Sequence, residues 1–315
     1  MIEGQEGVTW DQWVELARAC ERHGFEGLFR SDHYLAFAKP LERGALDAWA
    51  TISALAGVTE RIRLGAMVSP VGFRHPANLA KVVVTADHVS GGRVELGIGA
   101  GWFEEEHRAF GFPFPEDRDR MDMLAEQVEI VHGLWGGAGD VFTFEGSHYR
   151  LEACPALPKP RQDPHPPLII GGGAGPRSAA LAARWADEYD VVYHDPHQTK
   201  ARMERVSAAC EAIGRDPATV RRSLLTKTIV AADEALVRRR VAELMAWEDA
   251  DGDFDVYLED LRKNHVVGTP AQVLDRLAEF AAAGIQRVLV HQLVHTDLDS
   301  VELIGREVLP EASRL

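Results

Sequence analysis

The chain has 315 residues, 46% hydrophobic and 26% charged, proportions of an ordinary soluble globular protein with ample material for a buried core. A formal net charge of −15 argues against a nucleic-acid or anionic-membrane partner. No apolar run approaches a membrane span and the acidic start has no signal-peptide pattern; Cys20, Cys154 and Cys210 are scattered with no CxxC pair, so neither disulfides nor a zinc knuckle are indicated and a reducing cytoplasm is expected.

Thr9 and Gln12 fit a capping box opening a helix over 10–22, with Trp13, Leu16, Ala17 and Cys20 on one stripe and Gly24 after it. A strand is predicted over 25–31, with Asp32 and His33 at its carboxyl end. A helix over 46–58 and a strand over 62–68 follow; His75-Pro76 opens a helix to about 89, and Ser90-Gly91-Gly92 turns into a strand over 93–98. A longer helix covers 118–135, and residues 141–151 alternate about Glu145-Gly146 as a hairpin. Leu168-Ile169-Ile170 is a short apolar run bounded by turn residues, the pattern of a strand buried on both faces. Strands over 189–193, 223–230 and 287–293 alternate with helices over 200–213, 235–247, 269–283 and 298–308. The acidic 249–255 stretch reads as exposed, with a short helix over 256–263.

Seven strands each followed by a helix imply a parallel sheet with right-handed crossovers, and eight such units would close a barrel. The first unit is the deficient one: Ile2-Glu3 reads as the tail of a truncated strand. No composition break marks a linker, so one domain over 1–315 is expected, with an open doubly wound sheet as the alternative.

In a parallel barrel the chemistry lies at the carboxyl ends of the strands. Those ends carry Asp32-His33, Met67-Val68-Ser69, Gly99-Ala100-Gly101-Trp102, the glycines from Gly171 to Gly175, His194-Asp195 and His291. His33 could move a proton or hydrogen-bond a carbonyl; otherwise it is a satisfied core residue. The 97–101 stretch is GxGxG, not a dinucleotide fingerprint, and suits close approach of a flat ligand to the backbone or a tight turn. Gly171-Gly172-Gly173 leads into Pro176 at a helix start, so converging N–H groups there suit a phosphate, and glycine is expected for its positive φ and lack of a side chain. The Glu104-Glu105-Glu106 run reads as a solvated helix start rather than a general base. With no HxH or HExxH a metal site is not indicated, and GxSxG and Walker A sequences do not occur.

Ser31-Asp32-His33, the 59–65 stretch TERIRLG, Phe73-Arg74-His75-Pro76, Ser90-Gly91-Gly92-Arg93, the 97–102 stretch GIGAGW and the 166–173 stretch PPLIIGGG follow one another in an order that resembles the bacterial luciferase-like superfamily of flavin and deazaflavin enzymes. The similarity is greatest to the coenzyme F420-dependent oxidoreductases. The resemblance implies a (β/α)8 TIM barrel with insertions and hydride transfer at deazaflavin C5 to or from a small organic substrate. It implies a coenzyme held by Asp32, Met67, Val68, Ala100, Gly101, Gly171, Gly172, Gly173 and Arg177, with Met67-Val68 a cis peptide behind the ring, and His33 with Asp32 beside the ring as catalytic groups. The alternatives are an FMN-dependent monooxygenase fed by a separate reductase and a non-catalytic flavin-binding relative. A homodimer is expected by family analogy. Trp102 stands where members that oxidise glucose 6-phosphate carry an acid, which leaves His33 as the proton-transfer group.

Overall fold

The computed structural model describes residues 1–38, 42–136 and 139–315. All seven apolar runs read as strands form one parallel sheet. In chain order the elements begin with α1 (Trp10–Arg22), β1 (Gly27–Arg30), α2 (Ala48–Ala56), β2 (Arg63–Pro70), α3 (Pro76–Ser90) and β3 (Val94–Gly99). They continue with α4 (Glu104–Phe110), α5 (Asp117–Gly136), the hairpin β4 (Val141–Glu145) and β5 (Arg150–Pro155), then β6 (Leu168–Gly171), α6 (Pro176–Trp185) and β7 (Glu188–Val192). Next come α7 (Pro196–Ala212), β8 (Arg221–Val230), α8 (Glu234–Trp247), α9 (Phe254–Asn264), β9 (Val266–Gly268), α10 (Pro270–Ala282) and β10 (Arg287–His291). The C-terminal segment is α11 (Leu298–Leu303), a π turn over Ile304–Val308, and α12 (Leu309–Ala312).

The sheet order is β1-β2-β3-β6-β7-β8-β10, every pair parallel, with β9 pairing β8 off this path. Parallel strands covered on both faces need continuous apolar runs. Leu168, Ile169 and Ile170 are wholly buried for that reason, and so are Val94, Leu96 and Ile98. Outward-facing members pack on the helices, whereas Phe29, Met67, Ile169, Leu225 and Leu289 meet inside the curl. The predicted capping box at Thr9 and Gln12 is formed in full.

The curl does not close along its length. β1 and β10 are the two edges; the first residues bridge them at the mouth, and at the floor Arg287 reaches Glu26 at 3.5 Å. Ile2 pairs with Arg30 in parallel, the Met1 ammonium donates to the Val290 carbonyl at 2.8 Å, and the Gln292 N–H donates to the Met1 carbonyl at 3.1 Å. The expected strand stub is therefore real, and it joins the edges only at the mouth. Below it lies an apolar cavity of about 890 Å³, lined by Leu16, Leu28, Val288, Leu277 and Val308 among others.

The floor of the curl is ionic. Arg287, at the start of β10, reaches Glu95 of β3 at 2.7 Å and Glu188 of β7 at 3.0 Å, and all three are buried.

Two details depart from expectation. β9 was not anticipated, since its three residues are too few for a readable apolar period. The closing helix is broken at the π turn, where Pro310 follows and lacks the N–H that would continue the ladder. The acidic stretch is exposed as expected at Asp249, Asp251, Asp253 and Asp255, and Asp253 caps α9 by accepting from the Asp255 and Val256 N–H groups.

Candidate active site

Asp32 and His33 leave β1 at the mouth, as expected. Asp32 is buried; its Oδ2 accepts from Ser69 Oγ at 2.8 Å and from Arg74 Nη1 at 2.5 Å. Ser69 in turn accepts from Trp49 Nε1 at 2.9 Å, and Arg74 also reaches Asp47 at 2.6 Å. The other oxygen, Asp32 Oδ1, is buried and has no partner among the described residues. A bare carboxylate oxygen facing no donor is costly unless a ligand supplies one.

His33 Nδ1 lies 2.7 Å from Glu106 Oε2. Glu106 Oε1 accepts from the Tyr34 and Leu35 N–H groups, the latter at 2.9 Å, so this carboxylate ties the loop after β1 to α4. Glu106 is fully buried, which corrects its reading as solvated. A helix advances 100° per residue, so Glu104 and Glu105 face water while Glu106 faces the His33 loop. Burial alone would lower the His33 pKa. The Glu106 hydrogen bond and charge, with Glu3 and Asp32 nearby, outweigh it and hold the pKa above the ordinary histidine value.

The opposite rim is built by the N-terminal stub. Glu3 Oε1 is 2.8 Å from His291 Nε2, and His291 Nδ1 faces the Tyr193 hydroxyl. Burial pushes Glu3 up, but His291 brings it down to about 2 on balance. Gln5 Nε2 donates to Glu3 Oε2 at 2.8 Å, and Ser31 Oγ donates to Gln5 Oε1 at 2.6 Å, which ties this rim back to the Asp32 side.

The Met67–Val68 peptide is cis, as the resemblance implied. The neighbouring glycines explain how it fits. A Cβ on Gly97 would stand 2.3 Å from the Ala66 carbonyl oxygen, and one on Gly99 2.7 Å from Val68 Cγ2. Those two glycines make room for β2 itself. Gly101 has φ +81°, a conformation suited to glycine, and carries the chain from Ala100 past Pro70 to Trp102.

At the end of β6, Gly171 packs beside Val68, and Gly172 beside the Tyr189 hydroxyl. A Cβ on Gly173 or Gly175 would meet nothing within 4 Å. None of these glycines takes positive φ; Ala174 does, at 53°, with its N–H donating to the Tyr189 hydroxyl at 2.8 Å. The loop's glycines thus provide open space and not special backbone angles. α6 begins at Pro176 with no side-chain cap, leaving first-turn N–H groups for a ligand. Arg177 pairs with Asp122 and donates to the Arg118 carbonyl at 3.0 Å, at the rim of this loop.

The structure thus brings Asp32, His33, Met67, Val68, Ala100 and Gly101 together at one end of the curl, with Gly171, Gly172 and Gly173 at the neighbouring strand end. Sequence reasoning missed Glu3, Arg74, Glu106, Tyr193 and Asp47 as parts of the mouth. Three consecutive glutamates at a helix start were one available signal, since they cannot all face water.

A curled parallel sheet with a histidine paired to a buried glutamate, a bare buried carboxylate oxygen and an uncapped helix start at its strand ends defines an α/β-barrel enzyme working at its mouth. The model of the luciferase-like monooxygenase family matches residues 2–287, and the chain belongs to that family. It is 30% identical to an FMNH2-dependent dimethylsulfone monooxygenase of Pseudomonas putida, over 97% of this chain and 89% of that one. It is also 30% identical to an F420-dependent hydroxymycolic acid dehydrogenase of Mycobacterium tuberculosis, over 76% of this chain and 64% of that one. Among solved structures, an F420-dependent secondary alcohol dehydrogenase in complex with an F420-acetone adduct superposes with TM-score 0.82 at 22% identity, covering 99% of this chain and 97% of that one. Among the described residues no helix is long and apolar enough to cross a membrane.

Proposed function

We propose that the protein is an F420-dependent oxidoreductase that transfers a hydride between deazaflavin C5 and a small organic substrate. The observation that carries this reading is His33 at the strand ends, 2.7 Å from buried Glu106, whose hydrogen bond and charge raise the His33 pKa above the ordinary histidine value. Hydride exchange with a carbonyl or alcohol needs a proton given or taken beside it, and His33 is a group poised for that. A bound deazaflavin supplies the two-electron chemistry.

The chain's own residues bind and orient. Asp32 Oδ1, buried without a partner among the described residues, would accept from a ring N–H, and Met67 and Val68 would back the ring. Ala100 and Gly101 pass its edge. Gly173 and the first turn of α6 would donate N–H groups to the phosphate, with Gly171 and Gly172 lining its approach while the Gly172 N–H stays on the Asp190 carbonyl at 3.1 Å, and Arg177 would turn from Asp122 to join them. We infer cytoplasmic residence, with the three unpaired cysteines reduced, and a homodimer on family analogy.

A second reading, an FMN-dependent monooxygenase, is favoured by the near full-length similarity to the Pseudomonas putida relative. Titration of the protein with F420 and with FMN, followed by absorbance, separates the two. Tighter binding of F420 is expected, with reduction in a single turnover by an alcohol. Preference for FMN supports the second reading. Binding of either coenzyme without any turnover leaves a non-catalytic relative.

A further inference from the structure

The wall on the solvent side of His33 is aromatic and open. Trp102 is 65% exposed and Phe37 43% exposed, though both sit in a cluster. Trp102 stacks on Phe103 at 5.2 Å between ring centroids and lies 5.4 Å from Phe37. His33 stands edge-on to Phe37, Trp102 and Phe103 at 5.1, 5.9 and 6.0 Å. Large rings held out at a barrel mouth, beside a proton-carrying histidine, mark a contact surface for a ligand.

The charges around this wall select against an anion. Glu3, Asp32 and Glu106 all act on His33. Among the described residues, the nearby cations are committed: Arg43 to Glu6, Arg74 to Asp32 and Asp47, Lys227 to Glu248. A sugar phosphate entering here would meet carboxylates and break ion pairs. A flat uncharged molecule would cover exposed rings and meet one hydrogen-bond donor, His33.

Building on the oxidoreductase reading, we infer that the substrate is an uncharged, planar, largely apolar carbonyl compound or its alcohol. Its flat part lies on Trp102 and Phe37, and its oxygen accepts from His33.

The test is calorimetric titration of the protein, loaded with whichever coenzyme it binds, using 2-acetonaphthone and glucose 6-phosphate as probes. The ketone is expected to bind and the sugar phosphate not to. Trp102→Ala and Phe37→Ala should each weaken the ketone by about 3–10-fold, the worth of one aromatic contact. Both residues are exposed, and thermal unfolding of each variant checks that the fold is kept. Absence of ketone binding, equal ketone affinity in parent and both variants, or tighter binding of glucose 6-phosphate overturns the inference. Failure of the oxidoreductase reading looks different: neither F420 nor FMN binds in the loading step. The unloaded protein is then titrated with the ketone, and loss of affinity on removing Trp102 still decides whether the wall is a neutral-ligand surface.

Discussion

His33 keeps its proton to higher pH than an ordinary histidine because its partner carboxylate cannot escape. Glu106 is locked by the N–H groups of Tyr34 and Leu35, so the His33 ring has no competing solvent to lose it to. In Glu106→Gln the hydrogen bond survives and the charge does not. Burial then dominates, and the His33 pKa should fall. The imidazole C2–H resonance of His33, assigned by its loss in His33→Ala, should titrate at lower pH in Glu106→Gln than in the parent; an unchanged midpoint would show that Glu106 is not the cause. The sign carries to stability. A histidine pKa raised by folding contributes stability below the unfolded value near 6.5, and that contribution is lost as pH rises through the folded value. The catalytic prediction is separate: His33→Ala should lower turnover by roughly 10²–10⁴-fold, the usual range for a general acid or base, and change coenzyme affinity much less. Unchanged turnover would remove His33 from the chemistry.

At the scale of elements, the β6 loop and α6 make the sharpest test of where the coenzyme phosphate sits. Gly173→Asp places a carboxylate into open space, so the fold should be kept. The same carboxylate faces an incoming phosphate. Two unit charges at about 4 Å repel by about 4 kcal/mol at an effective dielectric near 20, roughly a thousandfold in affinity. Gly173→Ala should bind nearly as the parent does, since the residue has no positive φ to lose and nothing to strike. Coenzyme titration by fluorescence quenching beside thermal unfolding reads both variants, and parental affinity in Gly173→Asp would sink the assignment.

These elements were legible for a physical reason. A parallel strand buried on both faces must be apolar throughout, and turn residues must bound it, so Leu168-Ile169-Ile170 announces itself. The other six strands carry polar residues such as Glu95 and Glu188 within them, and they are found by their apolar cores and by regular alternation with helices. Neither signal finds β9, whose Val266 and Val267 are too few to show a period. The mouth is harder still. Arg74 meets Asp47 and Asp32 across 27 and 42 residues, and Tyr193 meets His291 across 98, so only the folded chain brings them together. Asp32 and His33 were visible because they directly follow a strand.

For the whole molecule, two features govern stability. Arg287 neutralises the buried carboxylates of Glu95 and Glu188 from three different strands. Arg287→Met would leave Glu188 without an ion-pair partner among the described residues and Glu95 with Arg63 alone, a loss of about 3–5 kcal/mol. Part of that loss should return on acidification, because unpaired buried carboxylates favour their protonated form. Urea denaturation at pH 7 and pH 5 measures both effects, and wild-type stability in the variant would show that the cluster is not structural. The second feature is the seam. The edges of β1 and β10 below Met1 have no strand between them among the described residues, and the cavity there is apolar. The Met1 ammonium is buried at its head, and burial first of all lowers its pKa to about 6. A short valine- and isoleucine-rich extension fused ahead of Met1 turns that ammonium into an amide N–H, which still donates to the Val290 carbonyl. It should add a parallel strand and raise the melting temperature. A lower melting temperature would show that the edges do not accept one.

The ionic floor has a consequence for kinetics. With Arg287, Glu95 and Glu188 filling the base of the curl, the mouth is the shared doorway for both ligands. On the proposed assignment, a coenzyme resting on Met67 and Val68 would lie beneath whatever Trp102 and Phe37 hold. The deeper ligand would then enter first and leave last, so steady-state turnover should be ordered, with the spent coenzyme competing against fresh coenzyme and the substrate's product giving mixed inhibition against both reactants.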